Sequence, residues 1–226
     1  LVGTTFAWFT DTASTGVNKI QAGNLDIELA YKNSTTRGEF KEANKETPVF
    51  DNNALWEPGH VEYVVLKISN AGNLALKYKL GINIASETGS TNVLGNEFKL
   101  SDYIKFAVID GDQSALNRDD LVAAATNSKL IKDGYTSEET PLYPKVEPVV
   151  DNQPNEKTVT LVVWMPKSVG NEANYKVAEG ITAPSIDLGI NVVATQLTYE
   201  NDSFGNEYDE DAEYPISVTT GDELQA

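Results

Sequence analysis

Three features of this 226-residue chain predict an all-β fold, a two-sheet β-sandwich with a short helical insertion and long loops. Six segments are rich in β-branched and aromatic residues: LDIELAY (25–31), VEYVVLKIS (61–69), LALKYKLGINIA (74–85), YIKFAVI (103–109), TVTLVVWM (158–165) and IDLGINVVATQLTY (186–199). Clusters of Gly, Asn, Asp and Pro separate them, as turns require. Only one stretch carries apolar residues at helical spacing.

The chain opens on LVGTTFAWFTD, an apolar run with no charge before Asp11, in a protein of net charge −17. Such a run suits an export remnant, a buried strand, or a strand meant for another molecule. LVGTTFA resembles the end of a signal peptide, with the small residues Thr5 and Ala7 placed for a cut before Trp8. As a strand, the run sets Val2, Phe6 and Trp8 on one face and Leu1, Ala7 and Phe9 on the other. A strand apolar on both faces belongs inside a sandwich.

Gly23 and Asn24 supply the positive φ of a tight turn before segment 25–31, and Pro58–Gly59 set the turn that launches 61–69. Within 61–69, Val61, Tyr63, Val65 and Lys67 point one way and Glu62, Val64, Leu66 and Ile68 the other, so both faces should be covered. Ala71, Gly72 and Asn73 read as a hairpin joining 61–69 to 74–85. Asn117 to Lys132 carries Leu121, Val122, Ala125, Leu130 and Ile131 near helical spacing, with Asn117 or Asp119 as N-cap and Gly134 as stop. Segment 136–157 holds Pro141, Pro144, Pro148 and Pro154 and reads as a surface excursion. In 186–199, Ile186, Leu188, Ile190, Val192, Ala194, Gln196 and Thr198 alternate with Asp187, Gly189, Asn191, Val193 and Thr195, which suggests one dry face and one wetter one.

Composition narrows the function. A chain of this length buries roughly 70% of its unfolded surface and needs no staples. Cysteine is absent, which removes disulfides, thiolate metal sites and thiol catalysis. Lys+Arg total 17 against 34 Asp+Glu, so the field of the molecule repels nucleic acid and anionic membrane surfaces. No window after the opening run approaches the roughly 18 to 20 apolar residues of a membrane span. A soluble, external protein is expected.

Catalytic constellations are missing. A zinc peptidase needs imidazole or carboxylate ligands in fixed geometry and a general base, commonly HExxH, whereas the one histidine is His60 in the PGH turn. A serine triad would have His60 as its only candidate base, and no GxSxG elbow is present. With 34 acids, some pair always falls at glycosidase separation, so that signal carries nothing. Two acidic groups loosely suit calcium, Asp110 and Asp112 with Asp119 and Asp120, and Glu207, Asp209, Glu210, Asp211 and Glu213, yet neither matches an EF-hand loop. No residue is expected to serve catalysis, a cofactor or a metal. Trp56 and Tyr143 are candidates for exposed aromatics of a carbohydrate or matrix contact. The acidic segment 200–213 is a candidate subunit contact, with lysines 32, 41, 45, 77 and 79 as opposite charges.

Five motifs occur in an order that resembles the TasA/camelysin (CalY) family of secreted Gram-positive matrix proteins: FAWFTDT at 6–12, IQAGNLDIEL at 20–29, LWEPGH at 55–60, ISNAGNLALKYKL at 68–80 and VVATQLTYEN at 192–201. The resemblance implies a jelly-roll-like sandwich, secreted to the cell surface or matrix, that polymerises with copies of itself into biofilm or pilus-like fibres. Accessory anchoring or matrix proteins are further partners it allows. It implies a donor-strand segment at 1–10 and one sandwich domain at 11–226, with Leu1, Val2, Thr4, Phe6, Ala7, Trp8 and Phe9 as assembly residues. The mechanism is strand addition, in which main-chain hydrogen bonds supply affinity and side-chain pockets supply register. The alternative expectation is a monomeric extracellular adhesin, or a carbohydrate-binding module, on the same fold.

Magnitudes set what the donor strand requires. Burying Leu1, Val2, Phe6, Trp8 and Phe9 gains roughly 8–15 kcal/mol, while ordering ten residues costs roughly 10–20. Ladder hydrogen bonds at about 0.5–1.5 kcal/mol each decide the sign, and they form only against a vacant strand edge.

Overall fold

The computed structural model describes residues 26–43, 49–50, 55–136 and 138–197, together with the backbone of residues 7–10. The expected turn at Gly23–Asn24 lies outside them. In chain order the strands are β1 (Ala7–Thr10), β2 (Ile27–Lys32), β3 (Lys41–Glu42), β4 (Val61–Asn70), β5 (Leu76–Thr88), β6 (Ser90–Thr91), β7 (Glu97–Phe98), β8 (Lys105–Asp110), β9 (Lys129–Leu130), β10 (Thr140–Leu142), β11 (Glu156–Trp164) and β12 (Ser185–Gln196). One helix, α1 (Arg118–Ala124), stands among them.

The strands form a four-stranded sheet ordered β1-β12-β5-β10, a six-stranded sheet ordered β3-β2-β4-β11-β8-β9, and a small β6-β7 hairpin. Every pairing is antiparallel. If β1, β4, β5, β8, β9, β10, β11 and β12 are renumbered one to eight, the sheets read 1-8-3-6 and 2-7-4-5. That is the jelly-roll order, two interleaved Greek keys, with β2 and β3 added beyond β4. The fold is an all-β sandwich, as the segment composition predicts.

Alternation fixes which residues fill the space between the sheets. Val64, Leu66 and Ile68 from β4 meet Leu76, Tyr78 and Leu80 from β5, and Leu161 and Val163 from β11 meet Leu188, Ile190 and Val192 from β12, all in one buried cluster. The opposite face of the six-stranded sheet carries a second cluster. There Val61, Ala107, Val162 and Trp164 pack against Leu121 and Ala125, at and just beyond α1. Both faces of segment 61–69 are therefore covered, as its sequence requires, one by the other sheet and one by α1.

The helix is shorter than its sequence spacing predicts. Asn117 caps it as expected, its side chain accepting the Asp120 N–H, but the helix ends at Ala124. Thr126 and Asn127 open a turn, and Leu130 and Ile131 belong to β9 and a following 3-10 turn rather than to a helical face. Their apolar spacing records burial in the sandwich. Gly134, with φ +87, terminates that 3-10 turn.

Residues 71–75 do not form a hairpin. β4 and β5 lie in different sheets, so this segment arches from one to the other. Asn70, 2% exposed, organises the arch. Its side-chain amide donates to the carbonyls of Leu74 (2.8 Å) and Leu142 (3.2 Å), and its side-chain oxygen accepts the Gly72 N–H at 2.9 Å. Asn155 donates to the Asn70 and Tyr143 carbonyls at 2.6 and 3.0 Å, drawing the segment after β10 against the start of β11. The excursion 136–157 thus contains a strand with the buried Leu142 and the half-buried anchor Asn155, and Tyr143 is half-buried rather than exposed.

The Pro58–Gly59 turn stands where expected, with Gly59 at φ +90 and its N–H on the Met165 carbonyl. The Trp56 ring packs on the main core and edge-on to His60, centroids 4.9 Å apart, so it too is half-buried. His60 meets Glu62 through Nε2 and Oε1 at 3.1 Å, at the entrance to β4.

Candidate functional site

A sandwich of two open sheets has four edges, each a row of N–H and C=O groups able to recruit another chain. Three are blunted. β3 consists of two exposed charged residues, Lys41 and Glu42. β9 is two residues long and runs into a 3-10 turn. β10 is three residues long and contains Pro141, which has no N–H to offer, although it pairs only Leu76 to Tyr78 of the thirteen-residue β5.

The fourth edge differs in length and chemistry. β12 spans twelve residues, and Leu188, Ile190, Val192, Val193 and Ala194 are all at least 98% buried. Asp187 is its one charged residue. On one side β12 pairs with β5 over twelve positions, from Ser185↔Thr88 to Gln196↔Leu76, with one irregularity at Asp187/Leu188. On the other side it pairs with β1 over four: Ala7↔Ala194, Trp8↔Val193, Phe9↔Val192 and Thr10↔Asn191. Among the described residues, Ser185 to Ile190 have no neighbour on that side.

Of the expected assembly residues, Ala7, Trp8 and Phe9 therefore lie on the β12 edge. Leu1, Val2, Thr4 and Phe6 lie outside the described residues. Four rungs supply about 2–6 kcal/mol of net hydrogen bonding, against about 4–8 for ordering four backbones.

The outward side of β12 is drier than its alternation predicts, since Val193 is 2% and Thr195 1% exposed. Tyr135 accounts for part of the cover on that side of the sheet. It bridges to Gly81 on the open edge of β5, and its hydroxyl accepts the Asn191 side-chain N–H at 2.8 Å. A Cβ at position 81 would come to 3.0 Å from the Tyr135 ring, so any larger residue would press the ring away from where it crosses the strand. The single glycine inside the apolar run 74–85 is the sequence signal for this close approach.

Burial pushes the phenols of both Tyr135 and Tyr78 up to about 12, with the Asn191 and Thr140 side chains respectively pulling the other way. Both folded values exceed the ordinary 10.0, so the native state holds these protons more tightly than the unfolded chain. Their stabilisation is complete below pH 10 and drains away between about 10 and 12. Tyr78, the more deeply buried, accounts for about 2–3 kcal/mol of that loss. Urea melts from pH 8 to 12 should show the decline, and a Tyr78→Phe variant should lose much less over the same range.

The acidic residues considered for calcium are held separately. Asp110 pairs with Lys157, and Asp112 with Lys32 and the Ser114 hydroxyl. Asp119 pairs with Lys167 at 2.7 Å, and Asp120 accepts from the Asn117 side chain. Among the described residues no three acids or imidazoles gather in a metal-holding group. Of the lysines considered as partners for segment 200–213, Lys32 is engaged by Asp112, and Lys77 and Lys79 flank Glu139 at 3.0 and 3.7 Å. Segment 200–213 and position 45 lie outside the described residues. No helix among the described residues is long and apolar enough to cross a membrane. Comparison with known protein families and with curated protein sequences finds no match to this chain.

Proposed function

We propose that this chain is the secreted, non-catalytic structural subunit of an extracellular fibre, a biofilm-matrix or pilus-like homopolymer, in which the N-terminal strand of one copy pairs with β12 of the next. The reading rests chiefly on the contrast between the edges. The outer strands at three edges are two or three residues long, while β12 is a twelve-residue, largely buried strand that β1 pairs at four described positions.

Exchange needs only that β1 leave its own β12 and enter another in the same register. Fifteen residues, 11–25, separate β1 from Asp26, and sixteen chain steps reach about 50 Å when extended. That exceeds the width of a small sandwich, so the tether permits pairing in either copy. Because donor and acceptor are different surfaces, the contact is heterologous and propagates into a filament rather than closing a dimer. The resemblance of the motif order to the TasA/camelysin family supports this reading.

The absence of cysteine makes the test direct. With Ala7→Cys and Ala194→Cys in one chain, fibres oxidised in place should run as a ladder of covalent multimers on a non-reducing gel, and monomers as single chains. Fibres from this variant that dissolve entirely into single chains overturn the proposal.

A further inference from the structure

The two ends of the sandwich differ in chemistry from its sides. At one end, Val146, Val149 and Val150 stand exposed in the loop between β10 and β11. That loop is closed at its base, where the Tyr143 N–H donates to the Pro154 carbonyl at 2.9 Å. Asn155 ties the base to Asn70, and the Ala71 N–H donates to the Asp26 carbonyl, so β2 begins at this same arch end. At the other end, Val93 and Leu94 stand exposed in the β6–β7 hairpin and Val177 in the segment beside it. The Val93 N–H donates to the Asn174 carbonyl and the Lys176 N–H to the Thr91 carbonyl, and this segment leads into β12 at Ser185. Of the other large apolar residues exposed among the described ones, Leu55 precedes the turn into β4, and Phe40 alone lies on a side, against Lys67.

Both ends are nearly neutral in a chain of net charge −17. Residues 90–96 carry no charge, Lys176 balances Glu179, and the loop 144–153 sets Lys145 against Glu147 and Asp151. Repulsion between copies is therefore weakest where the exposed apolar side chains gather. The direction of β1 brings these ends together. β1 runs along β12 from Ala194 toward Asn191, that is, toward the hairpin end. A chain whose β1 is seated on a neighbour leaves that neighbour toward its hairpin end, and its own sandwich begins at Asp26, at the arch end.

We propose that the exposed valines of loop 144–153 dock on Val93, Leu94 and Val177 of another copy, stacking the arch end of each subunit on the hairpin end of the subunit that holds its β1. This surface rests on the strand exchange proposed above and gives it a polarity. Six aliphatic side chains fall short of the about 1,200 Å² that a stable interface buries, so the contact aligns successive subunits while the exchanged strand joins them.

Seeded elongation of the full chain, followed by light scattering, tests it. Val149 is 76% and Val177 83% exposed, so substitutions there leave the fold intact, which thermal unfolding confirms. Val149→Glu and Val177→Glu should each slow elongation about tenfold or more, because the contact then buries an unpaired carboxylate. Val149→Glu combined with Val177→Lys should recover most of the rate. Undiminished elongation by either Glu variant, or a double variant no faster than Val149→Glu alone, overturns the docking and leaves the Ala7–Ala194 ladder free to form. A missing ladder in fibres that stay sensitive to both Glu variants overturns strand exchange instead and keeps the two ends in contact.

Discussion

Removing residues 1–10 should yield a folded, soluble protein that forms no fibres under the electron microscope, a loss too complete to grade by degrees. Among the described residues the core cluster runs from β2 onward, enough apolar burial for the truncated chain to keep a cooperative melt while it loses the rungs on Asn191 to Ala194. What disappears is the strand that a neighbour would receive. The truncated chain should still act as an acceptor, capping growing ends and shortening fibres when mixed with intact protein. Normal fibres from the truncated chain alone would sink strand exchange, and would favour the alternative in which this sandwich works as a monomeric adhesin.

Replacing Asn70 with Ala should destabilise the fold by about 2–4 kcal/mol, the largest effect expected of a polar substitution here. The change removes three hydrogen bonds and leaves the Leu142 carbonyl and the Gly72 N–H without their partner. Each loss costs about 1 kcal/mol, more where the stranded group stays buried. Asn70→Asp separates the roles, since a carboxylate still accepts the Gly72 N–H but donates nothing to Leu74 or Leu142. Equilibrium urea unfolding measures both variants. A loss under about 1 kcal/mol for Asn70→Ala would show that the arch between the sheets is held by its backbone instead.

How far the sequence carried depended on the range of the interactions involved. The strands were legible because alternation is local: Val64, Leu66 and Ile68 against Val61, Tyr63 and Val65 requires two covered faces whatever those covers are. The sheet to which a strand belongs is not local. Ala71–Gly72–Asn73 has the chemistry of a tight turn, and the partners that make it an arch, Leu142 and Asn155, lie some 70 to 85 residues further along the chain. The same limit shortened the helix, because an apolar pair such as Leu130 and Ile131 reads alike whether a helix or a sandwich edge buries it. At the candidate site, the apolar opening segment marked a strand from composition alone. Its partner did not, since which strand comes to lie beside β1 is a property of the whole topology.

The β12–β5 ladder bears on how such a protein would carry load. Its twelve paired positions run continuously but for one irregularity, with hydrogen bonds perpendicular to the strands. Tension applied along β12 by a strand seated on it would meet this ladder in shear, so the bonds would resist together instead of peeling one by one. Force would pass through β5 into the Asn70 arch, and from there into the second sheet. Under steady pulling, such a subunit should hold its length and then fail abruptly, more like a riveted plate than a zip.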